Sequence, residues 1–286
     1  MPHALVLNTA SKASLTGGTF ADTLVANSGD SLAVANYGGD ASTSGARILE
    51  AWAIDSTSVA ELQLIYTRPQ STHDQQHGVR FGISSLVPGG AGKPAAQQLL
   101  PGLVTADLYK SDTLLPQVSG TAADGFVLSW VTEYDDLPGA LGVFSSWAQI
   151  QALQLSVVGI QVTAVASATV GAYGTQRAFN ADDDRLHANT WYALLGYTVQ
   201  TPVTTISMLG PDWGGQRIGG PGSVLESQTS TWFVDQALKW DKPIIPCFNS
   251  NNKGNILVQV ADNVANTSPK IDFLLYELTG QPNAGA

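Results

Sequence analysis

One cysteine, four histidines and 13 basic side chains are all that this chain of 286 residues carries of those three kinds. The lone thiol, Cys247, can close no internal disulfide, so no cross-linked framework stands in for a core. Thirteen Lys plus Arg against 23 Asp plus Glu leave a net charge of −10. Phosphate neutralisation needs clustered cations, so direct nucleic-acid binding is not expected. Charged residues total 13%, about half the usual share for a soluble domain. Long apolar runs are missing too, and no segment is expected to span a bilayer. The start, Met1-Pro2-His3-Ala4-Leu5-Val6-Leu7-Asn8, lacks the basic region and apolar stretch of a signal peptide. Four histidines (His3, His73, His77 and His187) and no Gly-x-Ser-x-Gly elbow leave little from which to build a nucleophilic triad. Catalysis is therefore not expected, and no cofactor is implied.

What is present is apolar and small. Hydrophobic residues make up 44% and glycine contributes 29 positions, which excludes a disordered chain. Period-two patterns dominate. Leu153, Leu155 and Val157 alternate with Gln154 and Ser156, and Ile160, Val162 and Ala164 continue beyond Gly159. This predicts a strand with one buried and one polar face. Residues 51–54, 62–66, 125–131, 255–260 and 271–276 read as further strands, each bounded by turn-forming Gly, Pro, Asn or Asp. Helical signals are short. Phe144, Trp147 and Ile150 would share one helix face, and Thr231–Trp240 would turn two or three times with Trp232, Phe233, Leu238 and Trp240 apolar. The expected class is all-β, as antiparallel sandwiches with a few short helices.

The halves echo one another. Asn36 and Asp40 fall 144 positions before Asn180 and Asp184, and at the same offset 48–55 overlies 192–199. Val59–Pro69 then matches Val203–Pro211, and Gly78-Val79-Arg80-Phe81-Gly82 matches Gly215-Gln216-Arg217-Ile218-Gly219. Leu114-Leu115-Pro116-Gln117-Val118 is paired with Ile244-Ile245-Pro246-Cys247-Phe248, and 125–131 with 254–260. Collinear order across these elements predicts a duplication, with a boundary in the Pro138–Ser146 stretch. The expected units are 1–142 and 143–286. A single large sandwich with look-alike strands is the alternative.

In this layout, with its Gly-flanked Arg80 and Arg217 and its Leu-Leu-Pro/Ile-Ile-Pro pair, the chain resembles the tandem jelly-roll coat proteins of icosahedral viruses and bacteriophages. Phage decoration proteins built from β-sandwiches are a close variant. The resemblance implies two tandem antiparallel jelly-roll-like sandwiches, self-association into trimers, contact with other virion proteins, synthesis in the host cytoplasm and residence in the virion. A basic N-terminal arm is missing, since only Lys12 is basic before Arg47.

Some segments could carry more. Asp182-Asp183-Asp184, with Asn180 beside them, concentrate carboxylates of the kind a hard cation such as Ca²⁺ favours, though without EF-hand spacing. The alternative is an acidic exposed turn, and Glu133-Tyr134-Asp135-Asp136 is a lesser case. His73 and His77, four apart, sit between Pro69 and Gly78, where a loop leaves them no third ligand. The glycine-dense segment 210–222 lacks the Gly-Lys-Ser/Thr of a phosphate loop. It reads as a structured loop, with Trp213 and Arg217 as interface candidates, along with the insertion Gly89–Pro94. Arg217 would either tie the loop down or reach a neighbour. Cys247, between Pro246 and Phe248, reads as a small core residue. The sequon Asn266-Thr267-Ser268 lies in a turn.

The function these features indicate is that of a virion structural protein, a capsid or capsid-decoration subunit. A low-charge surface can be desolvated against copies of itself without stranding ion pairs. Seven Trp and eight Tyr supply contact or core area. The residues leave two other readings open: a carbohydrate-binding module of a fibre or adhesin, or a glycan-cleaving enzyme on the same scaffold.

Overall fold

The computed structural model describes residues 4–34, 44–55, 60–67, 77–83, 97–98, 106–109, 112–120, 125–134, 143–199, 203–222, 229–262 and 267–282. In the first half the strands are β1 (Ala4–Lys12), β2 (Gly18–Thr23), β3 (Val25–Ala26), β4 (Ser44–Asp55) and β5 (Ala60–Thr67), followed by β6 (His77–Ile83), β7 (Gln97–Gln98), β8 (Ala106–Tyr109), β9 (Thr113–Gly120) and β10 (Phe126–Tyr134). The second half begins with β11 (Val143–Ser145), helix α1 (Trp147–Leu153), β12 (Gln154–Thr163) and β13 (Arg177–Ala178). It continues with β14 (Trp191–Val199), β15 (Thr205–Leu209), β16 (Arg217–Pro221), helix α2 (Trp232–Trp240), β17 (Ile245–Asn249), β18 (Leu257–Ala261) and β19 (Lys270–Leu278).

Four antiparallel sheets result. In the first half β1-β10-β4-β8 form one sheet, with β3 outside β1 and β7 also on β4, and β2-β9-β5-β6 form the other. The second half gives β12-β19-β14-β17, with β11 outside β17, and β13-β18-β15-β16. Strand for strand these are the same jelly-roll order twice, and the chain is an all-β pair of tandem jelly-roll-like sandwiches. The topology corrects part of the sequence alignment. Residues 48–55, 60–67 and 78–82 do overlie their counterparts, in β4/β14, β5/β15 and β6/β16, while 59, 68 and 69 lie outside the described residues. The last two pairings are off by one strand. Leu114–Val118 lies in β9, whose counterpart is β18, whereas Ile245–Asn249 is β17, the counterpart of β8. A shared X-X-Pro pattern reflects local strand chemistry, and position in a sheet is set by non-local pairing. The expected boundary adjoins residues 135–142, which lie outside the described residues, as do Asn36, Asp40, His73 and Gly89–Pro94.

Burial shows how the layers stack. Ala4 through Ala10 of β1 and every residue of β10 are buried, so this sheet is covered on both faces. One face, with Val6, Ala10, Phe126, Leu128 and Trp130, shares a core with Leu62, Leu114 and Val118 of the β2-β9-β5-β6 sheet. The other meets the second sandwich, where β1 and β10 pack on β16. β15 is likewise buried from Thr205 to Met208. Between β14 and β12 in the second half, β19 alternates buried Ile271, Phe273 and Leu275 with half-buried Asp272, Leu274 and Tyr276.

Two local expectations are corrected. Phe144 is not helical but sits in β11, because Ser146 caps α1 with its side chain on the Gln149 N–H and Gln149 reaching back. In β12 the expected faces are inverted at one end. Leu153 closes α1, a register shift lies between Gln154 and Ser156, and Leu155 and Val157 are 61% and 59% exposed. Pairing with β19 runs without a break from Ser156 to Thr163, so Ile160 and Val162, which face the core, leave Leu155 and Val157 on the outer face by simple alternation.

Candidate functional site

The most elaborate cluster of polar side chains lies where the sandwiches meet. Period-two alternation turns Thr9 of β1, Ser129 and Glu133 of β10, and Glu50 and Trp52 of β4 toward the second sandwich. Thr9 Oγ1 is hydrogen-bonded to Ser129 Oγ, which is bonded in turn to Thr205 Oγ1 of β15. Tyr173 donates its hydroxyl to Thr9 Oγ1 at 3.0 Å. Asn27 Nδ2 donates to the Gly171 carbonyl, and Trp52 Nε1 donates to the Thr204 carbonyl. The Trp52 ring meets Trp232 of α2 edge-on, centroids 5.9 Å apart.

Arg217 anchors this surface. Its Nε lies 3.1 Å from Asp30 Oδ1, with the two side chains 10% and 1% exposed. Nη1 donates to Ser207 Oγ and Gln259 Oε1, Nη2 donates to the Ser28 carbonyl, and the guanidinium lies 4.2 Å over the Tyr173 ring. Asp30 Oδ2 accepts the Thr9 N–H at 2.8 Å. Burial pushes the Asp30 carboxyl up to about 7 against the pull of Arg217 and Thr9. Burial and the neighbouring Asp30 both push the Tyr173 hydroxyl upward. Glycines permit the approach. A Cβ on Gly219 would stand 2.0 Å from the Ile206 oxygen and 2.9 Å from Leu7 of the other sandwich, and Gly29 has φ +85° beside the guanidinium. A crevice of about 270 Å³ opens alongside, lined by Asn8, Ser31, Tyr134, Gln216 and Arg217 among others.

Two more ion pairs repeat the pattern of an acid from the first sandwich and a base from the second. Lys239 of α2 pairs with Glu50, and Lys242 lies 3.4 Å from Glu133, which also faces Arg47 at 3.5 Å. These pairs orient one sandwich on the other. Arg217, singled out from sequence, is thus committed within the chain. Its partners Asp30, Tyr173, Ser207 and Gln259 carried no sequence signal, being single polar residues in unrelated segments.

Trp213 is not a contact residue. It is 1% exposed, in a 3₁₀ turn at Pro211–Trp213, and donates Nε1–H to the Cys247 carbonyl while meeting Phe248 edge-on. Cys247 is buried, its thiol pushed up to about 12 by that burial.

The three aspartates do not converge. Asp182 accepts the Thr163 N–H and pairs with Arg177, Asp183 pairs with Arg185, and Asp184 pairs with Lys253 while accepting from Asn180. Asp182 is held low first by the Thr163 N–H, and Asp184 first by Lys253. Among the described residues no group of three or more His, Cys, Asp or Glu could hold a metal ion. Asp182, Asp183 and Asp272 line an open cleft of about 480 Å³ with Arg185, Gln161 and Gly159. His77 opens β6 opposite Tyr66.

A further pair escaped the sequence reading. His187 Nδ1 lies 2.9 Å from Glu277 Oε1, and Ser156 donates to Oε2 at 2.7 Å. The His187 and Ser156 bonds hold the Glu277 carboxyl low. Ser156 bonds the carboxylate and not the imidazole, so the three do not form a nucleophilic relay.

No protein-family model and no curated protein matches the chain. Among solved structures it is similar to the PBSX exported protein XepA, at 11% identity over 96% of this chain and 86% of that one, TM-score 0.21. It is also similar to the STIV MCP, at 10% identity over 99% of both chains, TM-score 0.22. At these TM-scores neither likeness bears on what this chain does.

Proposed function

We propose that the chain is a virion structural protein, a capsid or capsid-decoration subunit that acts by assembling with copies of itself and with other virion proteins, and not by catalysis. The observation that carries this reading is the repetition of one jelly-roll strand order in two sandwiches joined through a buried, ion-paired face. That build is a block with fixed geometry, which a shell needs and a flexible tandem binder does not. The composition supports it: the surface of a chain with only 13% charged residues loses little on being buried against a copy. Trimers are the expected building unit, and the virion is the expected location. Electron microscopy of the purified protein tests the reading. Shells, sheets or discrete oligomers are expected, and a population of single 29.9 kDa chains at high concentration overturns it.

A further inference from the structure

The second sandwich leaves a strand edge bare where the first does not. In the first, β1 is flanked by β3, with Ala10 opposite Ala26, and its outward face is covered by the second sandwich. The counterpart β12 terminates its sheet, and among the described residues no strand lies beyond it. Its ten residues, Gln154–Thr163, include no charge and no proline, two of the devices that commonly blunt a free edge. Exposed Leu155 and Val157 are continued by half-buried Leu274, Tyr276 and Trp147, the last two stacked at 5.8 Å. The far end of the edge is closed, since the Thr163 N–H is taken by Asp182.

We propose that a second copy of this chain occupies that edge, β12 pairing antiparallel with its equivalent about a two-fold axis at Val157. The proposal rests on the reading of the chain as a self-assembling subunit and names the surface it uses. Each copy carries −10, so two copies approach at least electrostatic cost along a strand with no charge. Every described strand pair in the molecule is antiparallel. With Val157 on the axis, Leu155 falls opposite Gly159 of the partner subunit, a large side chain over a small one, and no like charges meet. Asp182 takes the Thr163 N–H beyond the paired stretch and borders its Gly159 end across an open cleft, where the partner brings the uncharged Leu155. Pairing satisfies the open backbone groups and takes the two exposed side chains out of water. One self-complementary strand suffices for such a two-fold contact.

Light scattering on the wild type, Val157→Lys and Val157→Cys decides the matter, with Val25→Cys on β3, a 69% exposed site, as control. Folding is checked by circular dichroism, which an exposed position should leave unchanged. The expected result is a wild-type mass that is a multiple of one chain, reduced at least two-fold by Val157→Lys. Mild oxidation should link two Val157→Cys chains and leave Val25→Cys chains single, buried Cys247 taking no part. A multimeric wild type with both Val157 variants unchanged in mass and no cross-link overturns the β12 contact and leaves self-assembly standing. A wild type with the mass of one chain overturns the contact and the assembly reading together.

Discussion

Arg217 brings a full charge to a place where its side chain is 10% exposed, and Asp30 answers it from the other sandwich. Breaking such a pair from one side leaves a buried charge without its counterion, which costs about 3–5 kcal/mol. Arg217→Met is therefore expected to lower unfolding free energy by about that much at pH 8, and by less at pH 5. The pH effect follows from Asp30, whose carboxyl is raised from 3.8 to about 7 by burial, more than Arg217 pulls it back. The folded state then holds the proton more tightly than the unfolded one. The stability this adds is complete below pH 3.8 and is lost as pH rises through about 7. Asp30→Asn should flatten the stability profile in that window, as read from urea melts across pH. Asp22 works with the opposite sign. Burial raises its carboxyl, but the Lys12 and Thr16 bonds outweigh this and bring it to about 2. Its contribution is present above pH 3.8 and lost as pH falls through about 2, and Asp22→Asn should remove that acid limb. The aspartates at 182–184 each hold a separate cation or N–H. Added calcium is expected to leave the melting temperature unchanged, and a calcium-dependent rise in a melt would count against this account.

At the scale of elements, glycine and helix phase decide what substitutions do. β15 and β16 can pair face to face with the first sandwich only because Gly219 has no side chain. Its Cβ would collide with the Ile206 oxygen and with Leu7. Gly219→Ala is expected to destabilise the protein by about 3 kcal/mol or more, measured as a drop in the denaturation midpoint. Helix α2 shows the reverse. Leu238, one of the apolar residues of this helix in the sequence, is 59% exposed, whereas Trp232, Phe233, Val234 and Ala237 are buried. Leu238→Lys should then change stability by no more than about 0.5 kcal/mol. The same contrast runs through β12, where period-two alternation sends Leu155 and Val157 outward while Ile160 and Val162 stay in the core.

For the whole molecule the consequence is cooperativity. Leu5, Leu7 and Trp52 of the first sandwich and Val203, Ile206 and Trp232 of the second belong to one continuous buried cluster. Neither sandwich can open without exposing the face it shares. Differential scanning calorimetry is expected to show a single transition whose calorimetric and van't Hoff enthalpies agree. Two resolved transitions would mean that the sandwiches fold as independent units.

The strand-rich class and the repetition along the chain were legible in the residues themselves, whereas the segment read as one loop over 210–222 ends in strand β16, which Arg217 opens. Alternation of side chains, turn chemistry and collinear spacing are local properties that the chain carries whether or not it is folded. Sequence also picked out Trp213 as notable, but not that it is core. The last two strand equivalences, the direction in which Leu155 and Val157 point, and the partners of Arg217 were not legible. Each depends on contacts between segments far apart, such as Asp30 with Arg217 or β12 with β19, which decide which face of a strand meets the core. The sequence alone therefore determined what kind of layers the chain would build, and the tertiary structure decided which faces those layers show to one another and which they leave to water.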